Sequence, residues 1–366
     1  MTFNYHKQFA PVNIGIVGRG FVGSAVEFGF SPQTGCDGVT TYIYDKNKLK
    51  SLHPLQEVIM YSDFIFLSVP TPSNEDGSIN LSYVEDALTE MSKIYKKLPN
   101  SVGGIGSEEM TNIVLLRSTV TPGTTEKLQE KFPDINLVFN PEFLTERSAK
   151  FDFINQSRYI LGGRRDHTTR VAELYKWRFG ETIPIVETNF QTAELIKYMN
   201  NCFFATKVSF LNEMRQVSDR CGADWDKAVE GFIRDGRIGH SHMKIPGPDG
   251  KFGFGGHCLP KDTNAMINLG EELGLDMHTL KGVRNTNLEV RPERDWEDDP
   301  RAFTKESELP FKKAKNDDIP MLDRPLTKKE LKEWKEWNME EQNKSYNLGD
   351  VEMIQQGIVN NKSDDE

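Results

Sequence analysis

Between Val12 and Asp45 the chain sets out a β-branched run, the turn Gly18-Arg19-Gly20-Phe21-Val22-Gly23, a helical stretch to about Phe30, and a second strand-like run, Thr40 to Tyr44, that ends in an acid. A strand that passes through three spaced glycines directly into a helix leaves few folds open. The same alternation then continues. Phe64 to Val69, Ile113 to Leu116, Leu137 to Phe139, Arg158 to Gly162 and Ile183 to Val186 read as strands, with helices at Leu81 to Lys97, Thr124 to Phe132 and His167 to Phe179. Strands alternating with helices predict an α/β fold, a Rossmann-like, doubly wound parallel sheet covered on both faces, over residues 1–188.

The pattern changes after residue 188. From Gln191 to Arg220 there is no glycine or proline, and Leu195, Met199, Phe203, Phe210, Met214 and Val217 recur at helical spacing. Such a segment predicts one helix about 45 Å long. A shorter helix from Asp224 to Ile233, a glycine- and proline-rich loop to Gly256, and helical sequence from Asn264 to about Glu289 complete an all-helical central domain over 189–289. From residue 290 to 366 charge dominates, and the expectation is a charged, largely irregular C-terminal tail, mostly disordered. One amphipathic helix is expected in it near 327–342, from the capping box Thr327 and Glu330, the staple Leu326 and Leu331, and the stripe Trp334 and Trp337.

Composition narrows the function. A formal net charge of −10 argues against binding nucleic acid as the main task. No apolar window is long enough to cross a bilayer, and the polar Met1 to Pro11 lacks the apolar stretch of a signal peptide. The four cysteines have neither metal-ligand spacing nor secreted-domain density, which predicts reduced thiols in a cytoplasm and no metal site.

Three motifs carry chemistry. Gly18, Gly20 and Gly23 satisfy the dinucleotide fingerprint: tight turn, close backbone approach to a pyrophosphate, and close helix packing, with Phe21 and Val22 opening the helix. Asp45, at the end of the next strand, is placed for the adenosine ribose hydroxyls and favours NAD over NADP. Gly253-Phe254-Gly255-Gly256-His257-Cys258-Leu259-Pro260-Lys261-Asp262 puts a thiol just before a helix. A helix N-terminus, Lys261 and His257 are expected to lower its pKa and make it a nucleophile, with the glycines letting backbone amides approach a ligand. Asp262 falls one turn on, within reach of a bridging water. Lys197 and Asn201 share one face of the long helix, where ammonium and amide can hold an oxyanion. Glu142 and Glu146 sit four apart after a strand end, the usual ligand edge of an open parallel sheet.

Taken with Ser68 to Pro72 (SVPTP), Arg117 to Thr124 (RSTVTPGT), Asn140 to Glu146 (NPEFLTE), Thr192 to Glu213 and Arg237-Ile238-Gly239, these motifs resemble, in order, the UDP-glucose/GDP-mannose dehydrogenase family over residues 12–289. The resemblance implies a four-electron oxidation of a nucleotide-sugar primary alcohol to the carboxylate by two NAD molecules, UDP-glucose to UDP-glucuronate. Cys258 would form a thiohemiacetal and then a thioester, and Lys197 and Asn201 would stabilise the oxyanion. Asp262, Thr119 and Glu142 would position water. Lys50, Thr71, Ser118, Thr119 and Glu146 would contact the cofactor. Phe143, Leu144, Phe254 and Gly255 would line the sugar nucleotide, together with Glu142, Lys197 and Asn201, and Arg237 would reach it across a homodimer built on the long helix.

The sequence also departs from the family pattern. The charged tail stands where the family has a second Rossmann-like domain that grips uridine diphosphate. The connection from Asp45 to Asp63 is short, Pro248 to Lys251 reads as an insertion, and His257 replaces a small residue. Two other readings stay open at this point. One is a two-electron dehydrogenase of the 6-phosphogluconate or β-hydroxyacid type, for which Cys258 has no use. The other is a non-catalytic homologue that acts as a binding module through the tryptophan helix of the tail.

Overall fold

The computed structural model describes residues 12–98 and 112–304. The expected helix near 327–342 lies outside the described residues. Seven strands form one sheet: β1 (Val12–Val17), β2 (Val39–Tyr44), β3 (Phe64–Leu67), β4 (Ile113–Leu116), β5 (Leu137–Phe139), β6 (Tyr159–Gly163) and β7 (Ile185–Thr188). Their order is β2-β1-β3-β4-β5-β6-β7. The interior strands β3 and β4 read Phe-Ile-Phe-Leu and Ile-Val-Leu-Leu, and every one of these side chains is buried. Continuous apolar runs of this kind belong to strands covered on both faces. The order reverses direction at β1, which pairs with both β2 and β3. A crevice opens at such a switch point, outside the carboxyl ends of the strands.

The covering helices are α1 (Phe21–Gly29), α2 (Leu55–Tyr61), α3 (Ser82–Tyr95), α4 (Thr124–Lys131), α5 (Ala149–Ile154) and α6 (Arg165–Phe179). Two apolar layers result. One holds Val58, Leu67, Leu88 and Leu116, and the other holds Ile14, Val26, Phe66 and Phe153. The sheet departs from the all-parallel expectation at one place: β5 and β6 are antiparallel, with Val138 facing Gly163 and Phe139 facing Gly162. The physical reason is the connection. After β5 the chain stays at the crevice edge, where α5 packs on α1, and re-enters the sheet from that same edge. The register also needs Gly162, whose Cβ would lie 2.6 Å from that of Ala193 on the neighbouring helix.

The predicted long helix is α7 (Phe190–Cys221), 32 residues. Asn189 caps its start by accepting from the Thr192 amide, and Gly222, at φ +74°, ends it. It is followed by α8 (Trp225–Ile233), α9 (Leu259–Glu272) and α10 (His278–Val290). The helical run expected from Asn264 to Glu289 is thus two helices, broken at Gly274 (φ +73°), and α9 begins earlier, at the thiol. Ala205, Val208, Leu211, Met243, Ile245, Phe254 and Val283 form the apolar centre of this part.

Residues 291–304, the first part of the expected irregular tail, contain one 3-10 turn and no strand or α-helix, but they are not disordered. They are packed: Trp296 and Ala302 are buried, and the backbone exchanges hydrogen bonds with Ser73, whose amide donates to the Ala302 carbonyl and whose carbonyl accepts from the Thr304 amide, both at 2.9 Å. Two buried apolar side chains, a short β-bridge to Ser73 and the ion pairs of Arg291 and Arg301 hold a segment whose average composition pointed to solvent. Among the described residues, no helix is long and apolar enough to cross a membrane.

Candidate active site

The glycine turn leaves β1 with Gly18 at φ +93°. A Cβ there would meet the Ser68 carbonyl oxygen at 2.3 Å, and one on Gly23 would meet the Gly18 carbonyl oxygen at 2.1 Å, so both glycines are required by backbone passing backbone. A Cβ on Gly20 would have nothing within 4 Å. Gly20 caps α1 without a side-chain acceptor, so the first-turn amides of Phe21, Val22 and Gly23 are left to serve a ligand. Asp45, at the end of β2, accepts the Arg19 amide at 2.7 Å and the Asn47 amide at 2.7 Å, which ties the turn to the second strand. Ser118 joins the ends of β3 and β4 by donating to the Val69 carbonyl at 2.6 Å.

A cleft of about 1160 Å³ runs along this edge. Gly18, Gly20, Phe21, Val22, Asp45, Lys50, Thr71, Ser118, Thr119, Glu142, Glu146 and Cys258 all line it, so every assigned cofactor position except Gly23, which is packed beneath the turn, meets the thiol in one cavity. The open Gly20, the free helix amides, the acid at the end of β2 and a volume above that of ordinary small-ligand pockets fit a dinucleotide. His257 closes one wall, its ring edge-on to Phe21 with centroids 5.5 Å apart.

Beneath the cleft lies a buried polar group. Lys197 Nζ donates to Glu142 Oε1 at 2.8 Å and to the Glu142 carbonyl at 2.5 Å, while Glu142 Oε2 accepts the Leu144 amide at 2.7 Å. Asn201 Nδ2 donates to Asp262 Oδ2 at 2.5 Å, and Lys261 Nζ donates to Asp262 Oδ1 at 2.6 Å. Burial alone would neutralise Glu142, but Lys197 and the Leu144 amide outweigh it and hold its carboxyl below the usual range. Burial likewise works against the charge of Lys197, and the anionic surroundings of Glu142, Cys258 and Asp262 outweigh it and raise its pKa. The pair is ionised.

The thiol behaves otherwise than the motif suggested. Burial pushes Cys258 up to about 12; Glu142 and Asp262 add to this, and Lys197 and Lys261 oppose it. The helix end and nearby ammonium groups therefore do not yield a resting thiolate, because desolvation and two carboxylates exceed them. His257 gives no help, since burial lowers its own pKa and leaves it neutral despite Glu146.

The substrate assignments are less united. Phe143 is half-buried against the cations Arg158 and Lys197, 4.5 and 5.5 Å from its ring centroid. Leu144 is half-buried against the sheet layer beside α1. Phe254 is buried in the helical core and faces a second cavity of about 530 Å³, and Gly255 lies under the Arg291 guanidinium. Its neighbour Gly253 is likewise crowded by Asn287 and Arg291. The glycines of the thiol loop thus make room for this chain's own side chains, and of them only Gly256 faces open space. Arg237 is exposed and paired with Asp235.

Three charged residues in or behind the site were given no role from the sequence, although Arg117 and Glu194 lie within motifs quoted there. Arg301 reaches from the packed 291–304 segment to Glu146, a partner 155 residues away. Glu194, on α7, is fully buried and accepts the Gly123 amide at 2.6 Å and the Thr125 amide at 2.7 Å; burial pushes its carboxyl up to about 7 against those donors. Arg117 is buried beneath the sheet edge, bonded to Asn140 at 2.6 Å. A charged residue inside an apolar helical or strand pattern is the one local sign that could have marked Glu194 and Arg117; nothing local marks Arg301.

Comparison with known proteins agrees with this architecture. The family model described as UDP-glucose/GDP-mannose dehydrogenase family, NAD binding domain, matches residues 32–178, and that described as the central domain of the same family matches residues 191–289. A UDP-glucose 6-dehydrogenase of Bacillus subtilis is 35% identical over 234 residues, 62% of this chain and 48% of that protein. A UDP-glucose 6-dehydrogenase of Rickettsia prowazekii is 33% identical over 261 residues, 70% of this chain and 56% of that protein. The chain spans about half the length of the curated relatives it matches. The solved structure of a UDP-glucose dehydrogenase from the archaeon Pyrobaculum islandicum superposes with a TM-score of 0.65 at 28% identity, covering 77% of this chain and 69% of that one. With an NAD-binding domain and a central domain matched in the right order and meeting at one cleft, the chain belongs to the UDP-glucose/GDP-mannose dehydrogenase family.

Proposed function

We propose that this protein oxidises the primary alcohol of a nucleotide sugar, UDP-glucose, to the carboxylate UDP-glucuronate in two NAD-dependent steps. The observation that carries the reading is the position of Cys258: its thiol loop opens into the same cleft as the glycine turn, above the Lys197–Glu142 and Asn201–Asp262 pairs. Gly20, Phe21 and Val22 would hold the cofactor pyrophosphate, Asp45 its ribose, and Lys50, Thr71, Ser118, Thr119 and Glu146 the remainder. When bound, NAD supplies the hydride acceptor.

The protein's part follows from its charges. An aldehyde formed from the alcohol has no hydride to give until its carbon becomes tetrahedral, so a nucleophile must add. The Cys258 sulfur bonds to that carbon as the carbonyl π bond opens, and its proton passes to the carbonyl oxygen, since the resting thiol is neutral. Lys197 and Asn201 would stabilise the negative charge that develops on that oxygen. Oxidation of this thiohemiacetal gives a thioester; water, oriented by Asp262 and Thr119 beside Glu142, adds to it, expels the thiol and leaves the carboxylate. Phe143 and Leu144, beside Glu142, would shape the sugar-nucleotide side, whereas Phe254 and Gly255 are taken up by the helical core and by Arg291.

We place the boundary between the cofactor-binding and central parts at Asn189. A homodimer across α7 is supported by its exposed stripe of Leu195, Met199, Phe203, Phe210, Met214 and Val217, and Arg237 would then serve the partner's site. Four unpaired cysteines support a cytoplasmic location. The test is stoichiometric. Purified protein with UDP-glucose and NAD is expected to give two NADH per sugar, and Cys258→Ser to lose overall turnover by about 10³-fold or more. One NADH per sugar identifies a two-electron dehydrogenase instead; none with a panel of nucleotide sugars identifies a binding module.

A further inference from the structure

The thiol loop is held from behind by a charged clamp that the proposed chemistry does not use. Arg291, 2% exposed, donates to Asp295 through Nε and Nη2, both at 2.7 Å, and through Nη2 to Asp249 at 2.8 Å. Its guanidinium lies against Gly255: a Cβ there would come within 2.5 Å of Nη2 and 2.6 Å of Cζ. Asn287, one turn earlier on α10, accepts the Phe254 amide at 2.7 Å and donates to the Phe254 carbonyl at 3.0 Å. From α7, Asn212 accepts the Gly253 amide at 3.0 Å. Lys251, in the inserted Pro248–Lys251 stretch, donates to Asp295 at 2.9 Å. The insertion and the 291–304 segment thus form one ion network around the loop. The far end of that segment is pinned to Ser73 at the mouth of the sheet and, through Arg301, to Glu146 in the cleft.

We propose that Arg291 is a positioning residue for the thiol loop, and that residues 291–304 act as a brace that fixes the loop against the cofactor edge of the sheet. Two carboxylates neutralise the buried guanidinium, and its planar fork satisfies both at once, which a lysine cannot do. The brace passes from the loop carrying Cys258, over Trp296, to the Ser73 and Glu146 loops, so it spans all three rims with one continuous stretch of chain. Loosening either carboxylate contact frees Gly255 to move and lets more water reach the sulfur, which in the braced loop meets solvent only from the cleft side.

This deepens the reading above, because it concerns the sulfur assigned there to catalysis, but its test follows the thiol itself. In a Cys221→Ser background, where Cys36 and Cys202 are buried, the rate of iodoacetamide alkylation of Cys258 is measured against pH in the full chain. Asp295→Asn and Arg291→Lys are expected to raise that rate about tenfold by permitting local opening, and to move its pH midpoint down toward that of an ordinary thiol. The groups facing the sulfur, Glu142, Lys197, Lys261 and Asp262, are unchanged in both variants, so a shifted midpoint reports solvent entry. A purely structural loss would lower the melting temperature and leave the midpoint in place. If Arg291→Lys does not fold, Asp295→Asn carries the test alone. Wild-type rate and midpoint in the folded variants overturn the proposal, whatever happens to NADH formation. A faster rate in a protein that oxidises no nucleotide sugar leaves the brace standing and removes only the assigned reaction.

Discussion

Two glycine-rich loops meet across one cleft, and they use glycine for different reasons. At Gly18 to Gly23 the crowding atoms are main-chain carbonyls of the sheet edge and of the turn itself. At Gly253 and Gly255 they are the side-chain ends of Asn287 and Arg291. Each loop also has one glycine that faces open space, Gly20 in the first and Gly256 in the second. A run of glycines before a helix is therefore two statements, one about what the chain must make room for within itself and one about where a ligand can come close, and the printed sequence does not separate them.

The contrast can be broken by substitution. Gly23→Ala brings a Cβ within 2.1 Å of a carbonyl oxygen that has nowhere to go. It is expected to cost about 3 kcal/mol or more in urea unfolding, the range of severe overpacking. Gly255→Ala meets a side-chain end rather than main chain, and the guanidinium can yield by lengthening its bonds to Asp249 and Asp295, so the expected loss is about 1–2 kcal/mol. Equal losses in the two variants would erase the distinction.

A third turn sharpens it. Gly123, at φ +90°, gives its amide to the buried Glu194. Because the folded carboxyl titrates near 7, well above its value in the unfolded chain, the native state keeps a proton that the unfolded state releases. That contribution is complete below the unfolded pKa and is lost as pH rises through about 7. The melting temperature of Glu194→Gln, relative to wild type, should therefore rise by about a few degrees from pH 5 to pH 8. A difference independent of pH would refute the assignment. The smallest stability effect is expected at Gly20→Ala, within about 0.5 kcal/mol. Its added methyl would nevertheless stand where the pyrophosphate must approach, and the KM for NAD should rise about tenfold.

Much of the sheet was legible from local pattern. Strands β1, β4 and β5 fall where their apolar runs are, because a strand buried on both faces has no choice of residue type. The antiparallel turn of β6 was not legible, since the Asn140–Arg158 connection fixes the direction by where it packs. The glycine turn, the position of Cys258 before a helix and the common face of Lys197 and Asn201 were readable from spacing, but spacing alone favoured a solvated face where the structure has a buried one. The protonation of that thiol was not, because it depends first on burial and then on Glu142, far away in the chain and brought close only by folding. The packed 291–304 segment was hidden for a related reason: its anchors, Ser73, Glu146 and Asp249, are all elsewhere.

Helix α7 deserves a last consequence. Glu194 tethers the Gly123 turn, Lys197 the Glu142 loop, Asn201 the start of α9 and Asn212 the thiol loop, all from one uninterrupted rod. Inserting or deleting one residue between 194 and 212 would turn everything beyond it by about 100° and slide it about 1.5 Å. Several tethers would let go together. That stretch is consequently incompressible in length, a fixed gauge against which loops can be redesigned one at a time, whereas the stretch after Asn212 can be lengthened or shortened without breaking any of these four tethers.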